Sequence, residues 1–206
     1  MQESMLGIIN YKIGNLASVQ NAFRKLNQEA VIIEDPQSLK KCSLLVLPGV
    51  GAFGDAMEHL SRSGMQEAIL EYVKSGKYLL GICLGMQLLF QRSEEFGEHL
   101  GLGLLEGEVL KIAGLKKEEK IPHMGWNLVK RYQDSPLFKG VPAEFYLYFV
   151  HSFCVRNLSN AIGVSRYGME FASMVQKDNI FGIQPHPEKS HNVGLKILQN
   201  FIHLKD

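Results

Sequence analysis

The sequence predicts an α/β fold, a mostly parallel sheet flanked by helices with added antiparallel strands in the C-terminal half. Three observations carry that prediction. Short, almost wholly apolar runs alternate with helical patterns through residue 91, as in a parallel sheet covered on both faces. Between residues 108 and 184, strand-like runs follow one another with short links and no helical spacing between them. One last helical pattern, at 192–204, closes the chain.

Taken in order, residues 5–9 form an apolar run of strand length, closed by a turn-like stretch at 10–15. Leu16, Val19, Ala22, Phe23 and Leu26 then recur at helical spacing. Residues 30–33 read as a second strand ending at Asp35-Pro36, and 43–47 as a third with no polar interruption after its first residue. Helical patterning returns at 55–60 and 65–73, a fourth strand follows at 78–82, and 85–91 opens another helix. The later strands are expected at 108–112, 126–130, 144–150, 161–166, 171–176 and 180–184. The charged stretch 116–120 is a solvated loop. No repeat or low-complexity segment divides the chain, so residues 1–206 are expected to form a single domain.

The totals exclude several function classes. A formal net charge of +1 lacks the basic footprint of a nucleic-acid binder. The longest mostly apolar stretch, 78–90, is too short to span a membrane and is broken by Gly81 and Gly85. Cys42, Cys83 and Cys154 are an odd number without the spacing of a disulfide framework, and no secretory pattern precedes them. Free thiols in a cytoplasmic setting are expected.

Gly49-Val50-Gly51-Ala52-Phe53-Gly54 matches a dinucleotide fingerprint but stands after the third strand, and the acid about 20 residues on, Glu71, lies inside a helical pattern. The segment reads better as a loop whose backbone N–H groups face a site at the strand ends. Gly81-Ile82-Cys83-Leu84-Gly85 fits a nucleophile elbow, in which flanking glycines relieve crowding at a strained strand-to-helix turn. Cys83 would then sit at a helix N-terminus, which favours thiolate. A buried structural cysteine between two packing glycines explains the isolated motif about as well. The second motif tips the balance. In Gln184-Pro185-His186-Pro187-Glu188 the prolines exclude a regular helix and hold the segment extended, so His186 and Glu188 point to one side. A Cys83–His186–Glu188 triad follows, with the carboxylate fixing the imidazole tautomer.

GICLGMQ around Cys83 and PHPEKS around His186 resemble the class I, triad-type glutamine amidotransferases. PGVGAFGDAM from Pro48, GNLASVQNAF from Gly14 and PHMGWN from Pro122 narrow the resemblance to the glutaminase subunits of imidazole glycerol phosphate synthase, over nearly the whole chain. The resemblance implies a flavodoxin-like sheet and hydrolysis of L-glutamine through a cysteinyl thioester, with no metal and no organic cofactor. It implies an oxyanion hole from Leu84 and the Val50–Gly51 part of the glycine loop. It places Gly49, Gln87, Glu95, His151 and Ser152 at the substrate, with Glu95 towards the α-ammonium group. It also implies a separate (β/α)8-barrel cyclase partner that receives ammonia through a channel, with Trp126 and Lys189 towards that interface. From the residues alone, Trp126 could be ordinary core and Gln87 an exposed helical residue. Asn10, Lys12 and Phe153 depart from the family's usual residues without touching the triad. Alternative readings are the same glutaminase serving a nucleotide-sugar amidotransferase, a peptidase- or deglycase-like cysteine hydrolase, and a silent regulatory subunit.

Overall fold

Leu44, Leu45, Val46 and Leu47 carry only apolar side chains, and all four are buried. A strand of that kind needs cover on both faces. The computed structural model, which describes residues 5–12 and 15–205, shows how the chain supplies it. In chain order the elements are β1 (Leu6–Ile9), α1 (Leu16–Lys25), β2 (Ala30–Ile33), β3 (Leu44–Leu47), α2 (Phe53–Arg62), α3 (Met65–Lys74), β4 (Tyr78–Ile82) and α4 (Leu84–Leu88). The second half adds β5 (Phe90–Ser93), β6 (His99–Leu100), β7 (Leu105–Lys111), β8 (His123–Arg131), β9 (Glu144–His151) and β10 (Phe153–Val155). It closes with β11 (Ala161–Tyr167), β12 (Met169–Lys177), β13 (Ile180–Ile183) and α5 (His191–Ile202).

Strands β2, β1, β3, β4 and β13 lie side by side, all parallel. Their side chains alternate between two apolar clusters. Leu44, Val46, Leu80 and Ile82 share one with Phe23 of α1 and Phe201 of α5. Leu45, Leu47 and Leu79 share the other with Leu60 of α2 and Ile69 of α3. Helices therefore cover both faces, and the chain has the α/β fold its apolar runs predict. Beyond β13 the sheet continues through antiparallel β12 to β10 and β7, and a branch of antiparallel pairs runs from β12 through β11 and β8 to β9.

The structure corrects the sequence reading in places. The helix expected over 85–91 stops at Leu88, and the chain enters β5 at once. The N–H groups of Gly101, Leu102 and Leu104 take up the carbonyls of Gln91, Leu88 and Leu89, which ties that segment into the sheet. Strands β5, β6 and β10 have no counterpart in the sequence reading. Each has only two to four residues, and the register of β10 is set by a strand far along the chain, with Cys154 opposite Leu110. Gly14, which begins one of the motifs quoted above, lies outside the described residues.

Candidate active site

The parallel strands β3, β4 and β13 end side by side, and each hands over directly to a site segment. Cys83 follows β4 with φ 54° and ψ −113°, a conformation that side chains other than glycine rarely take. Its N–H is held by Ile183 O at 2.8 Å, so the neighbouring strand stabilises the strained turn. The two framing glycines are sterically required. A Cβ on Gly85 would lie 1.8 Å from Leu47 O, and one on Gly81 2.6 Å from Gly85 O. The helix behind Cys83 has five residues, so its dipole is smaller than that of the longer helix expected from the sequence.

The glycine loop follows β3. A Cβ on Gly49 would lie 2.3 Å from the Tyr11 hydroxyl, which donates to Pro48 O at 2.7 Å. Tyr11 therefore pins the base of the loop, a role absent from the sequence reading. Val50 and Gly51, the latter at φ 104°, line the cavity that also exposes Cys83. This placement suits the loop reading of the glycine motif.

After β13 the chain adopts a different local shape from the extended one expected. His186 is extended, at φ −98° and ψ 96°, but Glu188 lies in a single 3-10 turn, Pro187–Lys189. The turn still brings Glu188 Oε1 to 2.7 Å from His186 Nδ1, with both side chains almost wholly buried. The His186 backbone N–H donates to Tyr148 O at 2.8 Å, and the Ser190 hydroxyl donates to His186 O at 2.6 Å, so the backbone that carries the imidazole is fixed on both sides. His186 Nε2 is buried without a hydrogen-bond partner among the described residues. Burial disfavours the charged ring, but the neighbouring Cys83 and the hydrogen-bonded Glu188 carboxylate outweigh it and push His186 up to about 10.

One cavity of about 290 Å³ is lined by Cys83, Leu84, Val50, Gly51 and His186, together with Gln87, Glu95, His151 and Ser152. Pro122, Val150 and Phe153 complete its wall. Gly49 lies behind it as a packing residue, and Glu188 behind His186. Gln87 is buried and donates through Nε2 to Phe153 O at 3.0 Å and to Gln184 Oε1 at 2.9 Å, so the exposed helical alternative for it is excluded. Glu95 accepts the Phe53 N–H at 2.8 Å, and burial raises its carboxyl above the usual range. His151 has both ring nitrogens engaged, Nδ1 with Phe153 O at 2.8 Å and Nε2 with His123 Nδ1 at 2.9 Å. Burial, the largest influence, pushes His151 down to about 3, so it is neutral and has no free lone pair to serve as a base.

Trp126 is 47% exposed, which excludes the core alternative. It stacks on His191 with ring centroids 5.0 Å apart and stands edge-on to Tyr148 at 6.1 Å. Met124 and Tyr146 are also exposed on the β8–β9 pair, and Lys189 is exposed at the end of the 3-10 turn. None of these four lines the cavity.

A comparison with protein families matches residues 7–204 to glutamine amidotransferase class-I. The chain belongs to that family. The class-I amidotransferases hydrolyse glutamine, and as a member this chain is a glutaminase. Among relatives, the imidazole glycerol phosphate synthase subunit HisH of Wolinella succinogenes is 58% identical over 96% of this chain and 98% of that protein. The subunit of the same name from Sulfurimonas denitrificans is also 58% identical, over 96% of this chain and 97% of the relative. That of Methanocaldococcus jannaschii is 47% identical over 97% of this chain and 100% of the relative. A solved glutamine amidotransferase superposes with a TM-score of 0.76 at 18% identity, covering 98% of this chain and 99% of the other. A chain of PurLQS from Thermotoga maritima does so with 0.76 at 21%, over 98% of each. At such identities the structural likeness establishes the fold.

Proposed function

We propose that the chain hydrolyses L-glutamine through Cys83, His186 and Glu188 and delivers the ammonia to a synthase partner for imidazole glycerol phosphate formation in histidine biosynthesis. The observation that carries the triad is the buried His186–Glu188 pair at 2.7 Å, with Nε2 unpartnered at the cavity that Cys83 lines. Cys83 attacks the carboxamide carbon as thiolate, its proton held on His186. The Leu84 N–H and an N–H of Val50 or Gly51 hold the oxyanion. His186 gives its proton to the nitrogen as the C–N bond breaks, and ammonia leaves a glutamyl thioester. Thioester formation removes the sulfur's charge. With it goes one of the two influences that hold His186 up, and burial then favours the neutral ring. The neutral ring takes a proton from water, the resulting hydroxide attacks the thioester, and the C–S bond breaks to glutamate and free Cys83.

In this reading Gln87 and Glu95 contact the substrate, with His151 and Ser152 in the wall. Trp126 and Lys189 face a (β/α)8-barrel cyclase, which receives ammonia through a channel. The exposed apolar side chains of Met124, Trp126 and Tyr146 on the β8–β9 pair support a partner there, since clustered exposed apolar side chains mark interaction sites. The relatives' shared name supports the histidine branch over a nucleotide-sugar amidotransferase. The chain is read as one amidotransferase domain, supported by the family match over residues 7–204, and as cytoplasmic. No described helix is long and apolar enough to cross a membrane.

The test is Cys83→Ala in the reconstituted complex. Glutamine-dependent synthesis is expected to vanish while synthesis from added ammonium salt persists. Substantial glutamine turnover by the purified variant would refute Cys83 as the nucleophile.

A further inference from the structure

Gln184 is wholly buried at the end of β13, and the mechanism above leaves it idle. Its amide bridges Gln87 and Cys83. Oε1 accepts from Gln87 Nε2 at 2.9 Å, and Nε2 faces Cys83 Sγ at 3.8 Å. Which end of such an amide meets the sulfur is decided by its hydrogen-bond network. Here a backbone carbonyl decides it. Phe153 O can only accept, and it takes the His151 Nδ1–H and the Gln87 Nε2–H. The same Gln87 nitrogen reaches Gln184, so the atom it meets must be an oxygen. The Gln184 nitrogen is thereby left for the sulfur. Turning that amide over would set two NH₂ groups against each other and point an oxygen lone pair at a thiolate.

The sulfur needs such a donor. As a neutral thiol it directs S–H at Val150 O, 3.9 Å away. On ionisation that proton is gone, and Val150 O becomes a second acceptor facing an anion. We infer that Gln184 is a positioning residue whose buried N–H, aimed by Phe153 through Gln87, holds and stabilises the Cys83 thiolate. The inference rests on the reading of Cys83 as nucleophile. The 3.8 Å contact is loose for a thiol and tightens when the sulfur becomes a pure acceptor, because hydrogen bonds to charged groups are shorter and stronger. The other titratable groups around the sulfur are His186 after β13 and Tyr11 after β1, each electrostatically coupled to Cys83, with neutral His151 of β9 beside His186.

Gln184→Met keeps the length of the side chain and removes the donor. The readout is the rate of iodoacetamide labelling of the full chain, followed by mass spectrometry from pH 6 to 10. Cys42 and Cys154 are wholly buried, so labelling reports Cys83, and Cys83→Ala serves as the blank. The rate at pH 7 is expected to fall about tenfold. Cysteine thiols in general ionise at about 8.5, so the deficit should close towards pH 10. A purely structural role would instead lower the rate equally at every pH, and that outcome, or no fall at all, overturns the inference. If Gln184→Met melts below the assay temperature, Gln87→Met takes its place. It frees the Gln184 amide to turn, so a smaller fall of the same pH-dependent shape is expected, and an unchanged rate overturns the idea. The labelled wild-type chain is also assayed for glutaminase with its partner. Retained turnover would mean that Cys83 is not the nucleophile. Lost turnover with an unaltered profile in the variant would sink the role of Gln184 alone.

Discussion

In the His186–Glu188 pair the carboxylate can only accept, so it holds the proton on Nδ1 and leaves the lone pair on Nε2. Glu188→Gln tests that logic with almost no change in shape. A glutamine can present its NH₂ to Nδ1, which moves the ring proton to Nε2 and blocks acceptance of a proton from Cys83 or water. Turnover of glutamine by the complex is expected to fall at least about a hundredfold, with KM changed by less than about threefold. A larger change in KM than in kcat would show that Glu188 shapes the substrate cavity instead. At this scale the sequence is legible where chemistry has a local signature. The glycines two residues either side of Cys83 and the prolines flanking His186 announce constrained backbone by themselves. Tyr11 and Gln184 carry no such signature. Their partners, Pro48 and Cys83, lie 37 and 101 residues away, and only the folded chain brings them together.

Strands β8 and β9 place His123 directly opposite His151 in an antiparallel ladder. Phe153 O takes the His151 Nδ1 proton, so His151 Nε2 accepts from His123 Nδ1 and His123 Nε2 accepts from Asn127 Nδ2. The chain is complete only while both rings are neutral. Burial is the main reason His123 lies near 4 and His151 near 3. Unfolded imidazoles take up protons at about 6.5, so below that pH the unfolded state binds more protons and acid destabilises the fold. His186 is shifted the other way, above the unfolded value; it stays protonated when folded while the unfolded ring is still taking up its proton near pH 6.5, so it offsets only about 1 kcal/mol of this loss. Between pH 7 and 5 the pair should remove about 3–4 kcal/mol of stability, seen as a fall in the urea midpoint. Removing one ring, as in His123→Asn, should roughly halve the loss. An equal loss in the variant would assign it elsewhere. Elements of this kind also mark where the sequence stops being readable. The parallel core is legible because a strand covered on both faces must be apolar throughout, as Leu44–Leu47 is. The short β5, β6 and β10 are held by pairing with neighbouring strands, and their two to four residues carry no period of their own.

Across the whole molecule, the site is built on segments that differ in how firmly they are held. The Cys83 turn and the His186 segment are tied to strands by backbone hydrogen bonds. The glycine loop is held at its two ends, where the Tyr11 hydroxyl fixes Pro48 O and Glu95 accepts the Phe53 N–H. Between those anchors Val50 is 41% exposed, Gly51 has a positive φ, and no hydrogen bond to another described residue holds either N–H. The Pro48–Gly49 peptide is thus the anchored one, and the Gly49–Val50 peptide is free to turn its N–H into the cavity or out of it. In the proposed mechanism the second oxyanion donor is then conditional, while Leu84 supplies the first. An absent donor of this kind costs roughly 2.7–4 kcal/mol, or about 10²–10³ in rate. A partner that binds the face around Trp126 and prefers the loop with its N–H turned inward would shift that equilibrium by its differential affinity for the two states. The isolated chain is therefore expected to turn over glutamine slowly. Addition of the proposed synthase partner with its own ligand should raise kcat at least about a hundredfold, with a much smaller effect on KM. A loop-specific control separates this from general stabilisation. Gly51→Ala strains the positive φ and should lower the activated rate more than the basal one. If the isolated chain already works at the rate of the complex, or if Gly51→Ala lowers both rates equally, the conditional donor is not what couples ammonia release to the partner.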